Sequence, residues 1–179
     1  QNSGAGAAYI YTRSSATSTW TQEQKITLSG ADASTYVELG ARVASSGDTV
    51  AIAARRDGTP EFAIFVYTRT SGSWSRQTLI TSPTGAAGFA ESIALDGDLF
   101  VAGAPDTDLT TGNAEGAAYV FQRDSSGNWN QLVRLEAHDG SSANTQNNAA
   151  FGSAVGIHGN TVIVGARGYS SYSGRAYIY

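Results

Sequence analysis

The chain has 179 residues and a formal net charge of −4, with 15% of residues charged and 41% apolar. That balance leaves no face basic enough for a polyphosphate backbone or an anionic membrane surface, so nucleic acid is not an expected partner. The absence of cysteine excludes disulfides and thiolate metal sites. No apolar run approaches the ~20 residues of a membrane span, so membrane insertion is not expected.

In chain order the first element is "GAAYIYTR" (6–13), a short apolar strand. A tryptophan segment, "STWTQEQKI" (18–26), reads as the next strand, and 28–38 as a loop. "LGARVASSGDTVAIAAR" (39–55) reads as strand, two-residue turn, strand, because Gly47-Asp48 tolerates the positive φ of a tight hairpin. Then the set returns. "FAIFVYTR" (62–69) and "GSWSRQTLI" (72–80) repeat the first two elements. "FAESIALDGDLFVAGAP" (89–105) repeats the third, with Gly97-Asp98 at its turn. The cycle continues with "GAAYVFQR" (116–123), "GNWNQLVRL" (127–135), "FGSAVGIHGNTVIVGAR" (151–167) and "GRAYIY" (174–179).

Trp20, Trp74 and Trp129 recur at intervals of 54 and 55 residues, and Arg13, Arg69 and Arg123 at 56 and 54. A fixed period of this size marks a solenoid, a propeller or a tandem array. Nothing shows sustained helical periodicity, so almost no helix is expected. The expected fold class is therefore all-β, with β-propeller blades of four antiparallel strands. In "AYVF", Ala118 and Val120 face one way and Tyr119 and Phe121 the other. With both faces apolar, the strand should be covered on both sides. Small pairs close the second strand of each unit, at Ala53-Ala54, Gly103-Ala104 and Gly165-Ala166, where neighbouring backbones need close approach.

The units resemble FG-GAP repeats, the blades of the integrin-α type propeller. Phe151-Gly152 gives the "FG" and Gly103-Ala104-Pro105 the "GAP". The likeness covers nearly the whole chain, and the tryptophan segment is closest to the variety in bacterial secreted and surface proteins. The sequence departs at Leu39-Gly40, Phe89-Ala90, Ala53-Ala54-Arg55 and Gly165-Ala166-Arg167. Calcium-binding members carry an Asp-rich loop between the first two strands. Here that connection is only "SSGD", "LDGD" or "IHGN". Its two or three oxygens cannot fill the 6–8 ligand positions of Ca²⁺, so the calcium sites are not carried over.

The chain counts as a single propeller segment, 1–179, with blade parts 1–35, 36–84, 85–149 and 150–179. These hold two, four, four and three strands, about three periods cut out of phase. A closed propeller has 4–8 blades. The chain is thus expected to be a piece of a longer array, with copies completing one another as the alternative.

No residue qualifies as catalytic, cofactor-binding or metal-binding. His138 lies in a loop and His158 in a hairpin turn, and neither has a ligand-spaced partner, so both read as solvated. The loop 105–116, with Asp106, Asp108, Asn113 and Glu115, is the best cation candidate, and reads better as an acidic inter-strand loop. Arg55 and Arg56 could grip an anion, but Asp57 is close enough to pair. The recurrence of Arg13, Arg69 and Arg123 argues for a structural task, pairing with a carboxylate or capping carbonyls of the next blade. Recurrence likewise assigns the three tryptophans to blade packing. The long Ser/Asn-rich loop 137–150 suits either ligand binding or a tolerated insertion.

The expected function, supplied by the resemblance, is a non-enzymatic binding or adhesion module, extracellular or on a cell surface, without cofactors. Its partner would be a protein or glycan, met at loops over one face or between blades. Further blades or other copies of the chain are expected neighbours. One alternative is a carbohydrate-binding lectin propeller, with Tyr169, Tyr172 and Trp129 the first aromatics to inspect. The other is a structural subunit that polymerises by blade complementation.

Overall fold

The computed structural model describes residues 4–109, 114–138, 149–168 and 173–179. Thirteen strands form four separate antiparallel sheets. The first sheet pairs β1 (Ala8–Thr12) with β2 (Thr21–Ile26). The second is the meander β3 (Tyr36–Ser46), β4 (Thr49–Arg56), β5 (Phe62–Thr70) and β6 (Ser73–Ile80). The third is β7 (Ser92–Asp96), β8 (Leu99–Ala104), β9 (Ala117–Arg123) and β10 (Trp129–Leu135). The fourth is β11 (Phe151–His158), β12 (Thr161–Ala166) and β13 (Arg175–Ile178). Each sheet is a blade, and the series of blades is open rather than closed into a ring.

Turn chemistry sets the hairpins. Gly47, Gly97 and Gly159 sit first in the β3–β4, β7–β8 and β11–β12 turns with φ of 53°, 57° and 54°. Positive φ at the first central residue alone is the II′ pattern, which suits the right-handed twist of paired strands. The β5–β6 turn instead uses Ser71 and Gly72, both with positive φ (51° and 80°), the I′ pattern. One short helix, α1 (Gly30–Thr35), interrupts the stretch expected to be loop. Arg76 of β6 pairs with its Asp32, which fastens α1 against the second sheet.

Burial shows why the strands alternate two kinds of apolar residue. Ala51, Ala53, Ile64 and Val66 of the second sheet pack against Phe100, Tyr119 and Phe121 of the third and Phe89 just before it. On its other face the second sheet offers Ile52 and Phe65 to Ala8 and Ile26 of the first. On the far side of the third sheet, Val101, Ala118 and Val120 meet Phe151, Val162 and Val164 of the fourth. Every junction thus joins a small or branched face of one sheet to the aromatic-rich or larger face of the next. Phe65, Phe89, Phe100 and Phe151 are all nearly inaccessible, and each contributes about 1.5–3 kcal/mol through burial. Edge-to-face contacts such as Phe89–Tyr119 and Phe151–Tyr177 add about 0.5–1.5 kcal/mol apiece.

Candidate functional site

The junctions between sheets are interlocked by backbone contact. Residues on both sides of one large apolar residue near the start of each of the last three sheets take positive φ: Glu38 and Gly40 around Leu39, Gly88 and Ala90 around Phe89, Ala150 and Gly152 around Phe151. This double kink turns the chain so that its main chain lies on the sheet before it. At the third–fourth junction Gly116 bridges to Phe151, parallel to it. A Cβ on Gly152 would stand 2.3 Å from the Ala117 carbonyl, and one on Gly103 would stand 1.9 Å from the Gly152 carbonyl. Ser92 Oγ donates to the same Gly152 carbonyl at 2.7 Å. The first–second junction is built the same way, with Gly6 bridging to Leu39.

The second–third junction departs at all three places. Aligned on the period, Ala53 stands for Gly103, Phe62 for Gly116 and Ala90 for Gly152. No bridge joins Phe62 to Phe89 among the described residues. Ala53 and Ala90 are fully buried in the core shared by the two sheets, whereas Phe62 is only partly buried. A cleft of about 610 Å³ lies beside Phe62 at this junction. Tyr36, Arg56, Glu61 and Phe62 line one side of it, and the crossover Thr81–Ala87 lines the other.

The cleft is amphipathic and carries both charges. Tyr36 lies mostly under the surface with its ring edge-on to Phe65, 5.3 Å between centroids. Phe62 is half-buried and packs beside the central core. Arg56 and Glu61 are exposed at the rim, and neither joins an ion pair among the described residues. Thr81 and Ser82 add hydroxyls, and Ser82 Oγ donates to the Ala86 carbonyl at 3.1 Å, shaping the crossover. A ligand presenting an apolar ring or edge, an acceptor for Arg56 and a donor for Glu61 fits this lining.

The residues singled out from the sequence fall elsewhere. Arg55 pairs with Glu38 at 2.7 Å, not with Asp57. That bond raises the guanidinium pKa and lowers that of the Glu38 carboxyl. Two of the recurring arginines, Arg69 and Arg123, bind carboxylates, on the preceding sheet or their own. Arg69 bonds Glu23 of the preceding sheet at 2.6 Å and approaches Asp48 of its own sheet's turn at 3.8 Å. Arg123 bonds Asp98 of its own turn at 2.5 Å and Thr49 Oγ1 of the preceding sheet at 3.3 Å. Arg13 donates to the Ala16 carbonyl and covers the Trp20 ring.

Trp74 is buried against the first sheet, and Trp129 packs edge-on to Phe100 under Arg123. Trp20 is 61% exposed. Tyr169, Tyr172, Asn113 and most of the 137–150 loop lie outside the described residues. In the 105–116 loop, Glu115 is fully buried and accepts the Leu109 N–H at 3.1 Å, so it closes the loop internally. Among the described residues no three His, Asp or Glu side chains could hold a metal ion together. His138 and His158 are exposed, and His158 Nδ1 lies 3.6 Å from Asp96 Oδ2.

Two sets of junction residues escaped the reading by motif. The fourth strand bulges at Glu23, Gln77 and Leu132, where its register with the third strand shifts. The bulge re-aims the side chain: Glu23 reaches Arg69, and Gln77 Nε2 donates to the Gly127 carbonyl of the next sheet at 2.9 Å. Ser46 and Asp96 each accept the turn-glycine N–H of the following sheet, from Gly97 at 2.9 Å and Gly159 at 2.7 Å. Their common place before a Gly-Asp or Gly-Asn turn was the available signal.

Stacked four-stranded meanders with this interlock define a propeller-type repeat protein. The FG-GAP repeat family matches residues 20–67, 74–121 and 129–179, and the chain belongs to that family. No curated protein matches it. No helix among the described residues is long and apolar enough to cross a membrane.

Proposed function

We propose that the chain is a non-enzymatic binding module of an extracellular or surface protein, and that it takes its ligand in the cleft between the second and third sheets. The observation behind this reading is a two-sided cleft at the junction that carries Phe62 where the others have glycine. Phe62 stands where Gly6 and Gly116 bridge to the following sheet at the other junctions, and it lines the cleft beside Arg56 and Glu61, neither of which joins an ion pair among the described residues. Membership of a family common in extracellular and adhesive proteins supports the location.

The test compares the wild-type chain with Arg56→Ala and Phe62→Gly variants on a glycan array and on a panel of immobilised extracellular-matrix proteins. Arg56→Ala should abolish any binding found and leave the fold intact by circular dichroism. Phe62→Gly restores the residue of the other junctions and should also reduce binding. Binding that both variants retain would place the ligand elsewhere and overturn the reading.

A further inference from the structure

Three Asp-Gly pairs occur in the sequence: Asp57-Gly58, Asp96-Gly97 and Asp139-Gly140. The first two lie among the described residues, in opposite surroundings. Asp57 and Gly58 are exposed in the turn between β4 and β5. Gly58 sits at positive φ (74°) with open space where a side chain would be. Among the described residues nothing accepts the Gly58 N–H and nothing donates to the Asp57 carboxylate. Arg55, whose charge reaches Asp57, is bound to Glu38 instead. Asp96 and Gly97 are held on both sides. The Gly97 N–H donates to Ser46 Oγ at 2.9 Å, and Asp96 Oδ2 accepts the Gly159 N–H at 2.7 Å. One bond ties the glycine nitrogen to the sheet before, and the other ties the carboxylate to the sheet after.

We propose that Asp57 is a modification site, where the folded chain converts aspartate to isoaspartate, while the neighbouring sheets protect Asp96. The Gly58 nitrogen forms a bond to Asp57 Cγ. The carboxyl hydroxyl leaves and departs with the amide proton as water, which closes a succinimide ring. Glycine favours this step because no side chain obstructs the approach and its backbone turns freely. Water then opens the ring. Attack at the Asp57 main-chain carbonyl routes the chain through the side-chain methylene, and attack at Cγ returns aspartate. One water is lost and one is regained, so no other reactant is needed. The product lengthens the main chain by one carbon between Arg56 and Glu61. The Arg56 N–H donates to the Glu61 carbonyl at 2.7 Å to close this turn, and both residues line the cleft. The inference itself does not depend on any ligand there.

Prolonged incubation of the folded chain near neutral pH tests it, read by peptide mapping with enzymatic methyl labelling of isoaspartate. Isoaspartate should accumulate at Asp57. Asp96 must first break two hydrogen bonds, each worth a factor of a few to about ten, and should convert about thirtyfold more slowly. In concentrated urea both pairs lose their surroundings, and the two rates should converge. Ser46→Ala frees the Gly97 nitrogen and should speed conversion of Asp96 in the folded chain by about threefold or more. Asp57→Glu would need a larger ring and should leave that turn unlabelled. Equal rates at Asp57 and Asp96 in the folded chain would overturn the proposal. So would an Asp57 that converts in urea but not in the folded chain, since the fold would then protect both pairs alike.

Discussion

Ala90 holds its backbone at φ 64°, a region that costs an L-residue with a Cβ about 1–2 kcal/mol. Its counterparts, Gly40 and Gly152, take φ of 98° and 94° without that cost. An Ala90→Gly variant relieves that cost but removes a fully buried methyl contributing about 0.8 kcal/mol, so its thermal midpoint by calorimetry should stay close to that of the wild type. The reverse change at Gly152 meets two obstacles, the positive φ and a Cβ 2.3 Å from the Ala117 carbonyl. Gly152→Ala should lose more than about 2 kcal/mol. Equal effects at the two sites would contradict the account of the junctions given above, because only one of them is tightly interlocked.

The β9–β10 hairpin depends on one carboxylate. Asp124 accepts the N–H groups of Ser126 and Asn128, both at 2.9 Å, and the side-chain amides of Asn128 and Asn130. These bonds, the Asn128 N–H foremost, hold its carboxyl below the ordinary aspartate value. A depressed pKa in the folded state adds stability above the unfolded-state value and loses it as pH falls through the folded one. Acidification below about pH 4 should thus destabilise the wild type more than Asp124→Asn, which has no proton to gain. Urea midpoints measured across that range check it, and parallel curves would refute it. Strand order, turn positions and two-faced burial were all legible in the sequence, because a period of two and a Gly-Asp turn are local signals. The bulges at Glu23, Gln77 and Leu132 were not, since a one-residue slip depends on the partner strand. Nor was the cleft: it brings Tyr36, Arg56, Glu61 and Phe62 against the crossover Thr81–Ala87, a juxtaposition that no local signal carries. Helix α1 was missed because its six residues are too short to show a periodicity.

At the scale of the molecule each sheet is stable chiefly through its neighbours, as in other arrays of repeats. β4, β5, β8 and β9 are buried on both faces, whereas β2, β10, β12 and β13 have exposed residues along their length. Native-state hydrogen exchange should find the slowest amides in Val50–Ala54 and Val101–Ala104 and the fastest strand amides in β2 and β13. Uniform protection across all four sheets would show instead that the chain unfolds only as a whole.

Because every unit carries both a socket for the sheet after it and a plug for the sheet before it, the gene can gain or lose an entire unit without inventing a new contact. Unequal recombination over the recurring tyrosine stretches would yield chains of altered length whose seams already fit. The second–third junction is the exception: Phe62 stands on one unit and Ala90 on the next, so shuffling that separates them would join a seam without its own partner.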